Sequence, residues 1–76
     1  MIKKVRKASP EIRMILAANL RQLREAKGWT QEDLANATGL QKTYISDVEQ
    51  ATINVTLASL ETLARGLQCT AAELLQ

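Results

Sequence analysis

Apolar residues recur along most of this chain at steps of three and four, the spacing that lines one side of an α-helix. Ile12, Leu16, Leu20 and Leu23 mark the first such face, opened by Ser9 ahead of Pro10 and closed at Gly28. A serine side chain can accept from the free N–H groups of a first turn. Proline suits the first helical position because an N–H there would have no partner within the helix. Thr30 and Asp33 set up a reciprocal cap for a second helix over 31–38, with Leu34, Ala35 and Thr38 on its inner side. A third helix is predicted over 42–50. After a loop over 51–55, Thr56 caps a fourth helix in which Leu57, Leu60, Leu63, Ala64 and Leu67 repeat at helical spacing. Thr70 and Glu73 cap a short fifth helix ending in Leu74 and Leu75. Residues 1–8 carry no apolar period and read as a basic flexible arm, leaving 9–76 as one domain. The expected fold is all-α, a compact five-helix domain.

The third helix decides what such a domain can do. At about 100° per residue, Gln41, Ile45 and Val48 fall on one side and point inward. Lys42, Thr43, Ser46, Asp47 and Gln50 cover the opposite arc. Within residues 31–50 the fifth position is Ala35, the ninth Gly39 and the fifteenth Ile45. A small residue at 35 lets two helices cross closely, and glycine at 39 takes the left-handed conformation that ends the second helix. Ile45 anchors the third helix to the core. That spacing predicts a helix-turn-helix, whose outward helix fits the major groove of B-DNA. Lys42 can donate to guanine O6 and N7, Asp47 can accept from cytosine N4, and Thr43 offers a hydroxyl and a methyl for thymine. Any soluble helix shows water a polar face, so the surrounding spacing carries this reading and the face alone does not.

Composition removes competing classes. Seventy-six residues make one domain near the lower limit for a single core, and 46% are hydrophobic. Trp29 and Tyr44 are the only aromatics, too few for a protein that stacks single-stranded bases. The net charge of +2 conceals an asymmetry. Residues 1–30 hold eight Lys and Arg against Glu11 and Glu25, a net +6, whereas 31–76 hold Lys42 and Arg65 against six acids, a net −4. The imbalance suits a polyanion met by one side of the molecule, although Lys3, Lys4, Arg6 and Lys7 read equally well as a solvated tail. With Cys69 the only cysteine and no histidine, neither an intrachain disulfide nor a zinc site can form, so no metal or cofactor is expected. No catalytic residue stands out either: Cys69 has no evident base, and Ser9, Ser46 and Ser59 read as cap or surface. The apolar run over 14–18 is too short for a secretory core and no stretch could span a membrane. The chain therefore reads as cytoplasmic, with no membrane partner.

From residue 20 to 75 the sequence resembles the phage-repressor-like (Cro- and XRE-type) helix-turn-helix family, with its lambda-repressor-like fold. The matching residues are Arg21-Gln22-Leu23-Arg24, Gly28-Trp29-Thr30-Gln31, Leu34-Ala35, Gly39, Tyr44-Ile45-Ser46, Glu49, Leu60-Glu61-Thr62-Leu63-Ala64 and Glu73-Leu74-Leu75. Within that family, Lys42-Thr43-Tyr44-Ile45-Ser46 and Asn54-Val55-Thr56 are similar to the controller proteins of restriction–modification systems. The resemblance implies a sequence-specific transcriptional regulator acting as a homodimer on a palindromic operator in double-stranded DNA. It implies base contacts from Lys42 and Thr43, seconded by Ser46 and Asp47. It also implies backbone contacts from Gln31, Tyr44 and Asn54, and a structural ion pair between Arg24 and Glu49. Val55, Leu67, Cys69, Leu74 and Leu75 are candidates for the dimer surface, with core packing an equal alternative for Leu67 and Leu74. The sequence departs from the family at Ala51 and Gln68, where glycine is common, and at Val55, where proline is usual. No ligand-binding domain is expected beyond residue 76, and with it no small-molecule ligand. The alternative function is a protein–protein adaptor or antitoxin-like partner on the same fold.

Overall fold

The computed structural model describes residues 9–76, which form five helices: α1 (Pro10–Ala26), α2 (Gln31–Thr38), α3 (Lys42–Glu49), α4 (Leu57–Gly66) and α5 (Ala71–Leu74). No strand occurs among the described residues. The basic arm expected over 1–8 lies outside them. Helix starts follow the side-chain caps. Ser9 Oγ accepts from Ile12 N at 3.2 Å, and Thr56 Oγ1 from Ser59 N at 3.1 Å. The Thr30–Asp33 and Thr70–Glu73 pairs close reciprocally, each hydroxyl taking the N–H three residues on while the carboxylate takes the cap's own N–H.

Helix ends are equally local. Three of them close with the same pair of backbone bonds, in which the next residue but one reaches back to a carbonyl of the last turn. Trp29 N donates to Arg24 O at 3.2 Å, Thr52 N to Asp47 O at 3.2 Å, and Cys69 N to Ala64 O at 2.9 Å. This closure needs a left-handed residue, and the three positions are Gly28 (φ 74°), Ala51 (φ 60°) and Gln68 (φ 59°). At 51 and 68 the chain thus keeps a glycine's conformation on residues with a Cβ, at a cost of about 1–2 kcal/mol each. Helix α2 ends differently, at Gly39 (φ 77°), whose N–H donates to Ala35 O at 2.8 Å. Thr38 steadies that turn, its hydroxyl donating to Leu34 O and accepting from Leu40 N.

Each helix sends one leucine or isoleucine to the centre. Leu20, Leu34, Ile45, Leu63 and Leu74 are wholly buried, each contributing roughly 2 kcal/mol of apolar burial. Helices α2 and α4 pack so tightly that a Cβ on Gly66 would lie 2.5 Å from Thr38 Cγ2. Leu67 and Leu74, the two ambiguous dimer candidates, belong to this core. At the margins the periodicity overshoots: Ile12 is 42% exposed and Leu57 81% exposed, although both lie on the apolar arcs of their helices.

Candidate nucleic-acid interface

Helix α3 buries Ile45 and Val48 and turns Lys42, Thr43, Asp47 and Gln50 to solvent. Ser46 is half-buried, its hydroxyl accepting from Gln50 Nε2 at 3.3 Å. The helix stops at Glu49, one residue short of the predicted end, because Gln50 already belongs to the closing turn. One inward assignment fails. Gln41 is exposed, since it precedes the first helical turn in an extended conformation (φ −78°, ψ 147°) where the helical period does not apply. Gln41 also makes no side-chain cap, in contrast to the residues that open the other four helices.

The far end of α3 is held to two neighbouring helices by one carboxylate. Glu49 is buried, its side chain only 1% exposed. Arg24 of α1 grips it with both prongs, Nε to Oε2 at 2.6 Å and an Nη to Oε1 at 3.0 Å. The other Nη of Arg24 donates to Trp29 O at 2.7 Å, tying the pair to the turn before α2. Gln31, at the head of α2, donates Nε2 to Glu49 Oε1 at 3.1 Å. Burial pushes the Glu49 carboxyl up, but the hydrogen bonds from Arg24 and Gln31 and the charges of Arg24 and Arg21 outweigh it and hold it below the usual carboxylate range. Arg24 is raised in turn, chiefly by its hydrogen bond to Glu49.

The remaining sequence-predicted residues fall around this axis. Tyr44 is half-buried and its ring packs on the edge of the core, so less of it stands outside than a flanking position implied. Asn54 is exposed in the loop beyond α3. Asp47 keeps its side chain exposed while its carbonyl accepts from Thr52 N and Oγ1. Sequence reasoning assigned no role to Arg21, which also reaches Glu49; its place one helical turn before Arg24 was the available signal. An apolar groove opens between the start of α1, the loop after α3 and the head of α4, lined among others by Ile12, Ile53, Val55, Leu57 and Leu75. Arg13 lines it too, with a buried Nε that has no hydrogen-bond partner among the described residues. Among the described residues no cluster of acids and cysteines could hold a metal ion, and no helix is long and apolar enough to cross a membrane.

Residues 15–76 match the family described as a helix-turn-helix domain, and the chain belongs to that family. The class so defined is that of DNA-binding transcriptional regulators. Over 65 residues the chain is 43% identical to a hypothetical transcription factor of Neisseria meningitidis, covering 86% of this chain and 61% of that protein. It is 43% identical over 65 residues to control protein C.SmaI of Serratia marcescens, which are 86% of this chain and 77% of that one. Its fold superposes on the restriction–modification controller protein C.AhdI from Aeromonas hydrophila with a TM-score of 0.78 at 39% identity, covering 82% of this chain and 94% of the other.

Proposed function

We propose that this protein is a sequence-specific regulator that binds a palindromic operator in double-stranded DNA as a homodimer, laying α3 in the major groove. The observation that carries the reading is the split of α3 into a buried apolar side and an outward polar side. In this arrangement Lys42 and Thr43 are the main base readers, and Ser46 and Asp47 adjust the preference. Gln31, Tyr44 and Asn54 contact the backbone. Similarity to controller proteins of restriction–modification systems supports a regulator of that kind.

The homodimer is supported by the groove beside Leu57 and Leu75, whose apolar lining a second copy would cover. An acceptor from that copy would also satisfy Arg13 Nε, a buried donor that otherwise costs about 1–3 kcal/mol. Two copies related by a two-fold axis would present their reading helices to half-sites roughly 34 Å apart. Selection of binding sites from random duplex DNA, with the mass of the complex measured on the same sample, tests the reading directly. The expected product is a palindrome bound by two chains. A selection that enriches no sequence, beside capture of a single stoichiometric protein partner, would replace it with the adaptor reading.

A further inference from the structure

We propose that Arg21 is a second backbone ligand for duplex DNA, and that Arg21 and Gln31 together grip one phosphate from a platform built on Glu49. The inference rests on the DNA-binding reading above and adds a residue to it.

Glu49 has little need of Arg21. Its two oxygens already receive Arg24 at 2.6 and 3.0 Å and Gln31 at 3.1 Å. Arg21 approaches more loosely, with Nε 3.7 Å from Oε1 and an Nη donating to the Glu49 carbonyl at 3.4 Å. Both exceed the roughly 2.7–2.9 Å of a strong charge-assisted bond. Its side chain is 54% exposed, against 11% for Arg24. Arg21 is therefore steered by the carboxylate and still has donors to offer.

Arg21 Nε and Gln31 Nε2 sit within 3.7 Å of the same oxygen, so a core atom sets the spacing of two surface donors from different helices. A guanidinium carries five N–H groups and an amide two, and Glu49 consumes only part of that supply. The guanidinium fork matches a phosphate, while Arg24 compensates the carboxylate that would otherwise repel one. The surface beside Arg21 is a shallow depression lined by Met14, Ala17, Ala18, Gln50 and Ala51, in which Glu49 is the sole acid. Gln50 is exposed in the turn that closes α3, so this depression adjoins the end of that helix.

The test is Arg21→Gln, which keeps length and polarity and removes the charge. Affinity is measured across a salt series for the selected operator duplex and for a scrambled duplex, with thermal melts verifying the fold. Arg21→Gln should weaken both duplexes about tenfold and reduce the salt slope by about 0.9, leaving Lys42-dependent base preference intact. Arg21→Lys should restore the slope. Combining Arg21→Gln with Gln31→Met should lose less than the product of the single losses, because one phosphate is shared. A parent-like salt slope in Arg21→Gln, or single losses that multiply, overturns the shared grip while leaving the regulator reading in place. A parent protein that binds no duplex overturns both.

Discussion

Removing the Glu49 carboxylate should be among the most damaging single changes to this fold. Glu49→Ala strands Arg24, whose side chain is only 11% exposed, without an acceptor for two of its donors. It also leaves the Gln31 amide without its partner on α3. Taking one member from a buried pair typically costs about 3–5 kcal/mol. Here Arg24 keeps Trp29 O at 2.7 Å, which favours the lower end, near 3 kcal/mol. A domain of this length has about 4–11 kcal/mol in all, so the variant should melt roughly 12–24 °C below the parent. Urea unfolding at neutral pH, followed by helical circular dichroism, gives the difference. Pairing Glu49→Leu with Arg24→Met should recover stability relative to either single variant, because no charge is left behind. Acid adds an independent reading. The folded-state carboxyl lies below its ordinary 4.5, so its contribution is whole above that pH and is lost as pH falls through the lower folded value. That part of the acid dependence should vanish in Glu49→Ala. A single-variant loss below about 1 kcal/mol, the range of exposed pairs, would show that water reaches the carboxylate and that the pair does not hold α1 to α3.

Ala51→Gly and Gln68→Gly should each stabilise by about 0.5–1 kcal/mol in urea unfolding, since relief of the left-handed strain exceeds glycine's entropic cost. Gly66→Ala, although alanine is the better helix former, should lower stability by about 1–3 kcal/mol because its methyl meets Thr38. Lys42→Ala should relax preference at one base pair by about 1–3 kcal/mol in competition binding, whereas Gln31→Ala should lower affinity with preference unchanged; the reverse pattern would exchange their roles. Leu57→Ser, at an 81% exposed position, should shift the sedimentation mass toward one chain if the groove is the dimer face, while leaving the melt of the dilute, monomeric protein unchanged.

Most helix boundaries were legible because they are written by neighbours three to five residues apart. Ser9 with Pro10, Thr30 with Asp33, Gly39, Thr56, and Thr70 with Glu73 each satisfy N–H or C=O groups of their own turn. What sequence could not supply depends on which surfaces meet. Periodicity put Ile12 and Leu57 on apolar arcs, yet both side chains stay exposed, at 42% and 81%. The helical period does not reach back to Gln41, which is extended and exposed. Within the site, the resemblance implies only a DNA-backbone contact for the Gln31 amide. Its bond to Glu49 joins residues eighteen apart and has no local signature, and the approach of Arg21 joins residues twenty-eight apart, hinted at only by its place one turn before Arg24. The glycine-like turns at Ala51 and Gln68 were anticipated as departures, but only the backbone shows that the left-handed geometry survives the change of residue.

Helix α3 is bolted at its tail and unfastened at its tip. Its last residue is locked into two neighbouring helices, while the residue ahead of Lys42 supplies no cap and stands in water. If α3 reads DNA as proposed, mutations that retarget the protein to another operator can accumulate at the tip without disturbing the interior. Drift at the tail, by contrast, puts foldedness and grip at risk in the same stroke. Such a layout lets one scaffold diversify its targets while its architecture stays fixed.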